Sequence, residues 1–325
     1  DDTELVLADQ LLTVSPKIEE YLRKKIERVF SDEAKTGQFN SENPFLDHLK
    51  GDLLSNSVKI ANFWKEEFSI SENLKTNDLI FIEFERNGVE HFAFLRISLR
   101  ENLAHIGLES GSPLKITQNQ IGFAAPGINR KITQNNLPGA GLAPDEALIV
   151  NLQTRKYHLI EKRIKHNGAF LNYFSDNLLQ VTPAISAKKS IKAVEQTAQK
   201  IADNFHQGDF QFQSKVKSAI FNNLEEDNEL SPEKLADQLF DNNLTARLNF
   251  VDQLKEVIPD KISFDEIDSS RQLKKFENQK LSLSNGIELI VPNAIYEDAE
   301  SVEFIQNENG TYSILIKNIE DIKSK

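Results

Sequence analysis

Four lysines, Lys188, Lys189, Lys192 and Lys200, stand in a stretch where Ile191, Val194, Ala198, Ile201 and Phe205 recur at steps of 3, 4, 3 and 4. That period belongs to an α-helix with one apolar face. On a wheel of 100° per residue, Lys189, Gln196 and Lys200 fall opposite that face, with Lys192 beside them. Ammonium groups on a dry-backed helix can neutralise phosphates and displace their counterions. Lys188 and Lys189 occupy the first turn, where the helix end already carries partial positive charge and each cation costs about 0.3–1 kcal/mol. Exposed N–H groups beside two lysines make that helix start a phosphate site. The stretch holds few aromatics, which suits backbone neutralisation better than base stacking. Arg155, Lys162 and Arg163 offer a second strip. The competing reading of such a face is a solvated surface.

These residues belong to a segregated charge pattern. The chain carries 38 Lys+Arg against 50 Asp+Glu, a net charge of −12. Residues 151–220 run the other way, with 11 basic and 5 acidic side chains. An acidic chain is repelled on average by nucleic acid and by anionic membranes, yet a local basic surface binds phosphate. A nucleic-acid interface therefore belongs in the middle of the chain.

Catalytic signatures are missing. His48, His91, His105, His158, His166 and His206 include no pair on one helix face, so no metal site is expected. Gly139-Ala140-Gly141 lacks the Lys and the following Ser or Thr of a phosphate loop, and no nucleophile elbow occurs. Glu225-Glu226-Asp227 reads as a solvated turn. There is no Cys, hence no disulfide framework and no thiolate chemistry. The expectation is a binding protein, not an enzyme, with no cofactor.

At 325 residues, 39% hydrophobic and 27% charged, the chain is sized for more than one core. No apolar run reaches the roughly 18 residues that cross a bilayer, and none has signal-peptide form. No membrane partner and a cytoplasmic location are expected. Met is absent too.

Residues 3–8 read as the end of a strand. Ser15-Pro16 is an N-cap and first-position pair, opening a helix through Ile18, Leu22, Ile26 and Val29. A second helix is expected near 55–70, with Val58, Phe63 and Phe68 buried beside Trp64. The period then falls to 2. Strands 78–86 and 89–100 flank Asn87-Gly88, a strong hairpin signal. Residues 107–145 are poor in charge and rich in Gly and Pro; 122–146 are expected to be a mobile, protease-sensitive loop. Strands resume at 147–151 and 156–162. Residues 167–259 are expected to be helical, over 168–179, 186–205, 212–224, a segment after Ser231-Pro232, and 244–258. Short strands follow at 271–276, 281–284 and 287–291, then 302–306 and 312–317 around Asn309-Gly310. Leu273, Phe276, Leu281, Leu283, Ile287 and Leu289 are expected to be buried and Lys274 and Lys275 exposed. Gly286→Val is expected to destabilise a primed turn at Asn285-Gly286. The order argues α+β: an antiparallel sheet with N-terminal helices (1–165), a central helical segment carrying the basic helix (166–260) and a C-terminal β-rich module (261–325).

The runs Glu4-Leu5-Val6-Leu7-Ala8-Asp9-Gln10-Leu11-Leu12 and Val29-Phe30-Ser31-Asp32-Glu33-Ala34-Lys35-Thr36-Gly37-Gln38-Phe39 resemble the N-terminal part of the bacterial nucleoid-associated protein family (NdpA-like). Lys200-Ile201-Ala202-Asp203-Asn204-Phe205 and Arg271-Gln272-Leu273-Lys274-Lys275-Phe276 resemble its later segments, in the same order. The first strand is short relative to the family, and 105–145 departs most from it. The resemblance implies bacterial cytoplasm and the nucleoid, with no cofactor and no catalytic residue. Its partners would be duplex DNA, held by phosphate contacts without strong sequence preference, or nucleoid proteins that recruit the chain. A homo-oligomer is compatible with either.

Overall fold

The structure is a computed structural model. It describes residues 5–71, 76–99, 104–109, 116–122, 137–205, 210–258, 260–264 and 266–322. It is an α+β fold whose contacts group into two compact units, Asp1–Ser186 and Ala187–Lys325.

The first unit is built on a five-stranded antiparallel sheet. Its strands are β1 (Lys35–Gln38), β2 (Asn77–Arg86), β3 (Val89–Ser98), β6 (Glu146–Asn151) and β7 (Lys156–Ile160), in the order β1-β7-β6-β3-β2. β4 (Ala104–Glu109) and β5 (Ile116–Gly122) form a separate ladder. Alternation sends Phe92, Phe94, Leu148 and Val150 to one face and Ala93, Leu95, Ile97, Ala147 and Ile149 to the other. Helix α1 (Pro16–Val29) covers the second face with Ile26 and Val29. Helix α2 (Leu53–Phe68) covers the first with Ile60, Trp64 and Phe68. Val58 and Phe63 are half-buried. Asn87 and Gly88 both have positive φ, 53° and 76°, the backbone of a primed two-residue turn.

The second unit contains α3 (Ala187–Asn204), α4 (Phe210–Asp227), α5 (Pro232–Leu239), α6 (Leu244–Lys255) and α7 (Glu266–Phe276). Ser231 and Asn243 cap α5 and α6 by accepting from Lys234 N and Ala246 N. A short pair, β10 (Glu229–Leu230) with β11 (Ile262–Ser263), ties the helices together. Two hairpins follow: β12 (Asn278–Ser282) with β13 (Glu288–Pro292), and β14 (Val302–Gln306) with β15 (Tyr312–Ile316). Between them runs the short helix α8 (Asn293–Tyr296).

Several expectations are corrected. Residues 5–8 lie outside any strand. Residues 168–179 are not one helix: Asn167 and Gly168 take φ of 49° and 80° and turn a hairpin between β8 (Ile164–His166) and β9 (Ala169–Leu171). A π-helix, Phe174–Leu179, follows. The Asn-Gly pair carries the same signal as Asn87-Gly88. Glu225–Asp227 is no turn but the end of α4, stopped where Asn228 takes φ 54°. Residues 271–276 are helical, within α7. Among its described side chains the buried positions are Ser269, Gln272 and Phe276, so polar residues stand on the inward stripe there and hide the period. Gly286 has φ 86°, but Asn285 does not have positive φ. The turn closes from Gly286 N to Leu283 O, and Leu283 N reaches Ile287 O. This is a four-residue turn with a glycine bulge, not a primed turn. Phe276 is buried, Leu273, Leu281, Leu283 and Leu289 are half-buried, and Ile287 is exposed, as are Lys274 and Lys275. Of the expected loop 122–146, residues 123–136 lie outside the described residues, and 137–145 carry a turn and no strand.

Gly37 faces Tyr157 across the β1–β7 ladder, and a Cβ there would overlap the Tyr157 hydroxyl and ring. Tyr157 is buried among Phe39, Phe45 and Leu159 and cannot swing clear. Gly37→Ala is therefore expected to lower stability by about 1–3 kcal/mol, read as a fall in melting temperature. An unchanged melting temperature would mean that the ring yields.

Candidate nucleic-acid interface

Helix α3 forms as its spacing dictates. Ile191, Val194, Ala198 and Ile201 are buried, joined by Ala187 and Ala202; Phe205 is half-buried. Lys188, Lys189, Lys192 and Lys200 all lie on the other side, Lys188, Lys189, Lys192 and Lys200 each outside the buried stripe. From Lys188 to Lys200 the axis rises about 18 Å. The first turn contains no acid. Lys200 Nζ donates to the neutral amide of Gln253 on α6 at 2.8 Å. Lys192 has no anionic partner among the described residues. Asp203 lies near the far end of the face and accepts from Gln199 at 2.7 Å. Glu195, three residues from Lys192, is half-buried: burial raises its carboxyl above the ordinary range, and Lys217 on α4 opposes that.

Six other cations of this unit pair with acids. Lys215 pairs with Asp241 at 3.2 Å, Lys255 with Glu233 at 2.5 Å, Lys261 with Glu229 at 3.0 Å and Lys317 with Glu303 at 2.7 Å. Lys234 pairs with Asp227 and Arg247 with Asp237. These pairs are dispersed over the unit, whereas the four lysines of α3 gather on one helix.

Arg155, Lys162 and Arg163 lie in the first unit and are not brought together. Arg155 sits half-buried in the turn before β7, with φ 60°. Lys162 and Arg163 follow the other end of that strand, roughly 20 Å away. Lys162 is bound to Asp145. The local positive charge of residues 151–220 is therefore shared between two units.

Sequence reasoning missed two buried ionic groups in the first unit. Lys25 is fully buried in α1, and its ammonium donates to Gly139 O at 3.0 Å and Leu142 O at 2.7 Å. Its spacing from Leu22 and Ile18, three and seven residues, was the available signal. Arg96 Nε donates to Glu146 Oε2 at 2.6 Å. Tyr173 donates to the same oxygen and accepts from Trp64 Nε1 at 3.0 Å. Burial raises the Glu146 carboxyl, against the pull of Arg96 and Tyr173. These groups hold β3, β6 and α2 together. Among the described residues no cluster of three or more His or acidic side chains could hold a metal. His91 and His158 pack on the Phe30 ring, and His48 lies against Phe45 and Phe63.

A family model described as that of nucleoid-associated protein YejK matches residues 1–323 of the chain. No curated protein matches it.

The Lys162–Asp145 pair makes a pH prediction. Burial opposes ionisation of Asp145, but hydrogen bonds from Lys162 and from Ser98 N–H outweigh it and hold the carboxyl down at about 2, against 3.8 when free. A depressed acid stabilises the fold above its unfolded value and stops doing so as pH falls through the folded one. Asp145→Asn is expected to cost about 1–2 kcal/mol at neutral pH, the exposed ammonium being partly screened. The gap from the parent should shrink between pH 4 and pH 2 in thermal melts; a gap independent of pH would refute the assignment.

Proposed function

We infer the function from the family: the chain belongs to the nucleoid-associated proteins described by YejK, and we propose that it joins the nucleoid by binding duplex DNA directly. The partners in this binding are phosphates on the DNA side and Lys188, Lys189, Lys192 and Lys200 on the protein side, with little discrimination between sequences. The chain acts in the cytoplasm as a binding protein rather than an enzyme. One observation carries this reading. Four lysines share the outward side of a single helix whose first turn holds no acid. Lysines held as point charges on a rigid, apolar-backed helix are suited to positioning against a phosphate backbone.

A second reading has its own support. A net charge of −12 opposes DNA at long range, so the chain could instead reach the nucleoid through a basic protein partner. Salt separates the two.

The triple variant Lys188→Glu, Lys189→Glu, Lys192→Glu is expected to bind all duplexes more weakly while melting like the parent, because these side chains point away from the buried stripe. Every phosphate that is no longer neutralised lowers the slope of log K against log salt by about 0.9. A salt titration of both proteins on two unrelated duplexes tests it. Failure of the parent to bind at low salt would leave the partner-mediated reading. A variant that keeps the full slope would move the DNA-binding surface elsewhere.

A further inference from the structure

Strand β2 ends the five-stranded sheet, and among the described residues no strand pairs with its outer side. Its Asp78–Phe81 stretch lines a cleft of about 1010 Å³ in the first unit. One wall is α1, through Ile18, Tyr21 and Leu22; the other is α2, through Val58, Ala61 and Trp64. Since α1 and α2 cover opposite faces of the sheet, a cleft that touches both runs along the sheet edge. Its floor is the edge strand β2, whose outer side enters no ladder among the described residues, and an open edge between apolar walls is the shape that receives an added strand.

The segment before α1 supplies the complementary half. Leu5, Val6 and Leu7 are strand-forming residues that enter no ladder. Leu5–Ala8 and Leu12 lie along the same cleft, yet Val6 is 82% exposed, Leu11 61% and Leu12 66%. In its own chain this segment is tethered at Pro16 to the helix whose first turns already wall the cleft. It lies there without pairing and leaves its apolar side chains in water. A patch of this kind marks an unfilled contact.

We propose that the β2 edge accepts residues 5–8 of a second copy of this chain as a sixth strand, and that the exchange is reciprocal. A two-fold arrangement of this sort is self-complementary: each copy offers one segment and one groove. It would cover Val6 and satisfy the outward backbone groups of β2. The proposal does not rest on DNA binding by α3.

The chain has no cysteine, so a single one can be placed at will. Val6→Cys carrying benzophenone maleimide is equilibrated with heavy-isotope parent chain and irradiated, and cross-linked peptides are read by mass spectrometry. The expected product joins the light residue-6 peptide to the heavy peptide containing 77–86. Sedimentation velocity on the parent is expected to give twice the chain mass of 36.9 kDa. The double variant Val6→Asp, Leu7→Asp should sediment as a single chain with an unchanged melting temperature. Cross-links found only within light chains would overturn the proposal, as would a monomeric parent at high micromolar concentration. A dimer that survives the double variant would place the interface elsewhere and overturn it too.

Discussion

Strand β3 is buried on both faces from His91 to Ile97, and much of the first unit follows from that. A strand with no wet face needs a cover on each side, and α1 and α2 provide them. It also needs neighbours along both edges, which β2 and β6 supply. The one full charge on that stretch, Arg96, must then be neutralised in place. Glu146 on the adjacent strand meets it, and Tyr173 and Trp64 complete the group. Removing one partner of such a set leaves a buried charge uncompensated, which is far more damaging than replacing the set by apolar residues. The group therefore fixes which strands and helices meet more than it adds to stability.

The second unit answers a different constraint. An isolated two-stranded hairpin is marginal in water, and its two hairpins survive by docking. The first is pinned by Gln279, whose amide donates to Ser214 O at 3.2 Å and Asn293 Oδ1 at 2.8 Å, while Ser218 donates to Asn293 at 2.7 Å. The second lays Phe304 and Tyr312 against Phe210 at the start of α4. Helix α4 thus carries both hairpins as well as packing against α3, α5 and α7. That role explains why it has polar residues, Ser214, Ser218 and Asn223, among its buried positions.

The lysine face of α3 costs the fold little. The helix is held from its apolar side, so the opposite face can carry charge that the rest of an acidic chain lacks. Contact with a phosphate backbone needs no deep site, only cations at fixed spacing on an outward surface, and under the proposed reading a rigid helix would supply that spacing.

Short-range rules wrote much of this structure into the sequence. The cap at Ser231-Pro232, the helix start at Ser15-Pro16, the primed turn at Asn87-Gly88 with the two strands it joins, and both faces of α3 are local consequences of residue type. Local rules failed where an inward position was polar. Ser269 and Lys25 are buried because a partner elsewhere in the fold satisfies them, and that partner is invisible in a single window of sequence. The same holds for charge: a run of basic residues in sequence became two separate groups, because Lys162 found Asp145 and Arg155 stayed at the far end of β7. Periodicity reports which face of an element is apolar. Which polar groups can go inside, and which cations meet an acid, depends on atoms that only tertiary packing brings within hydrogen-bonding distance.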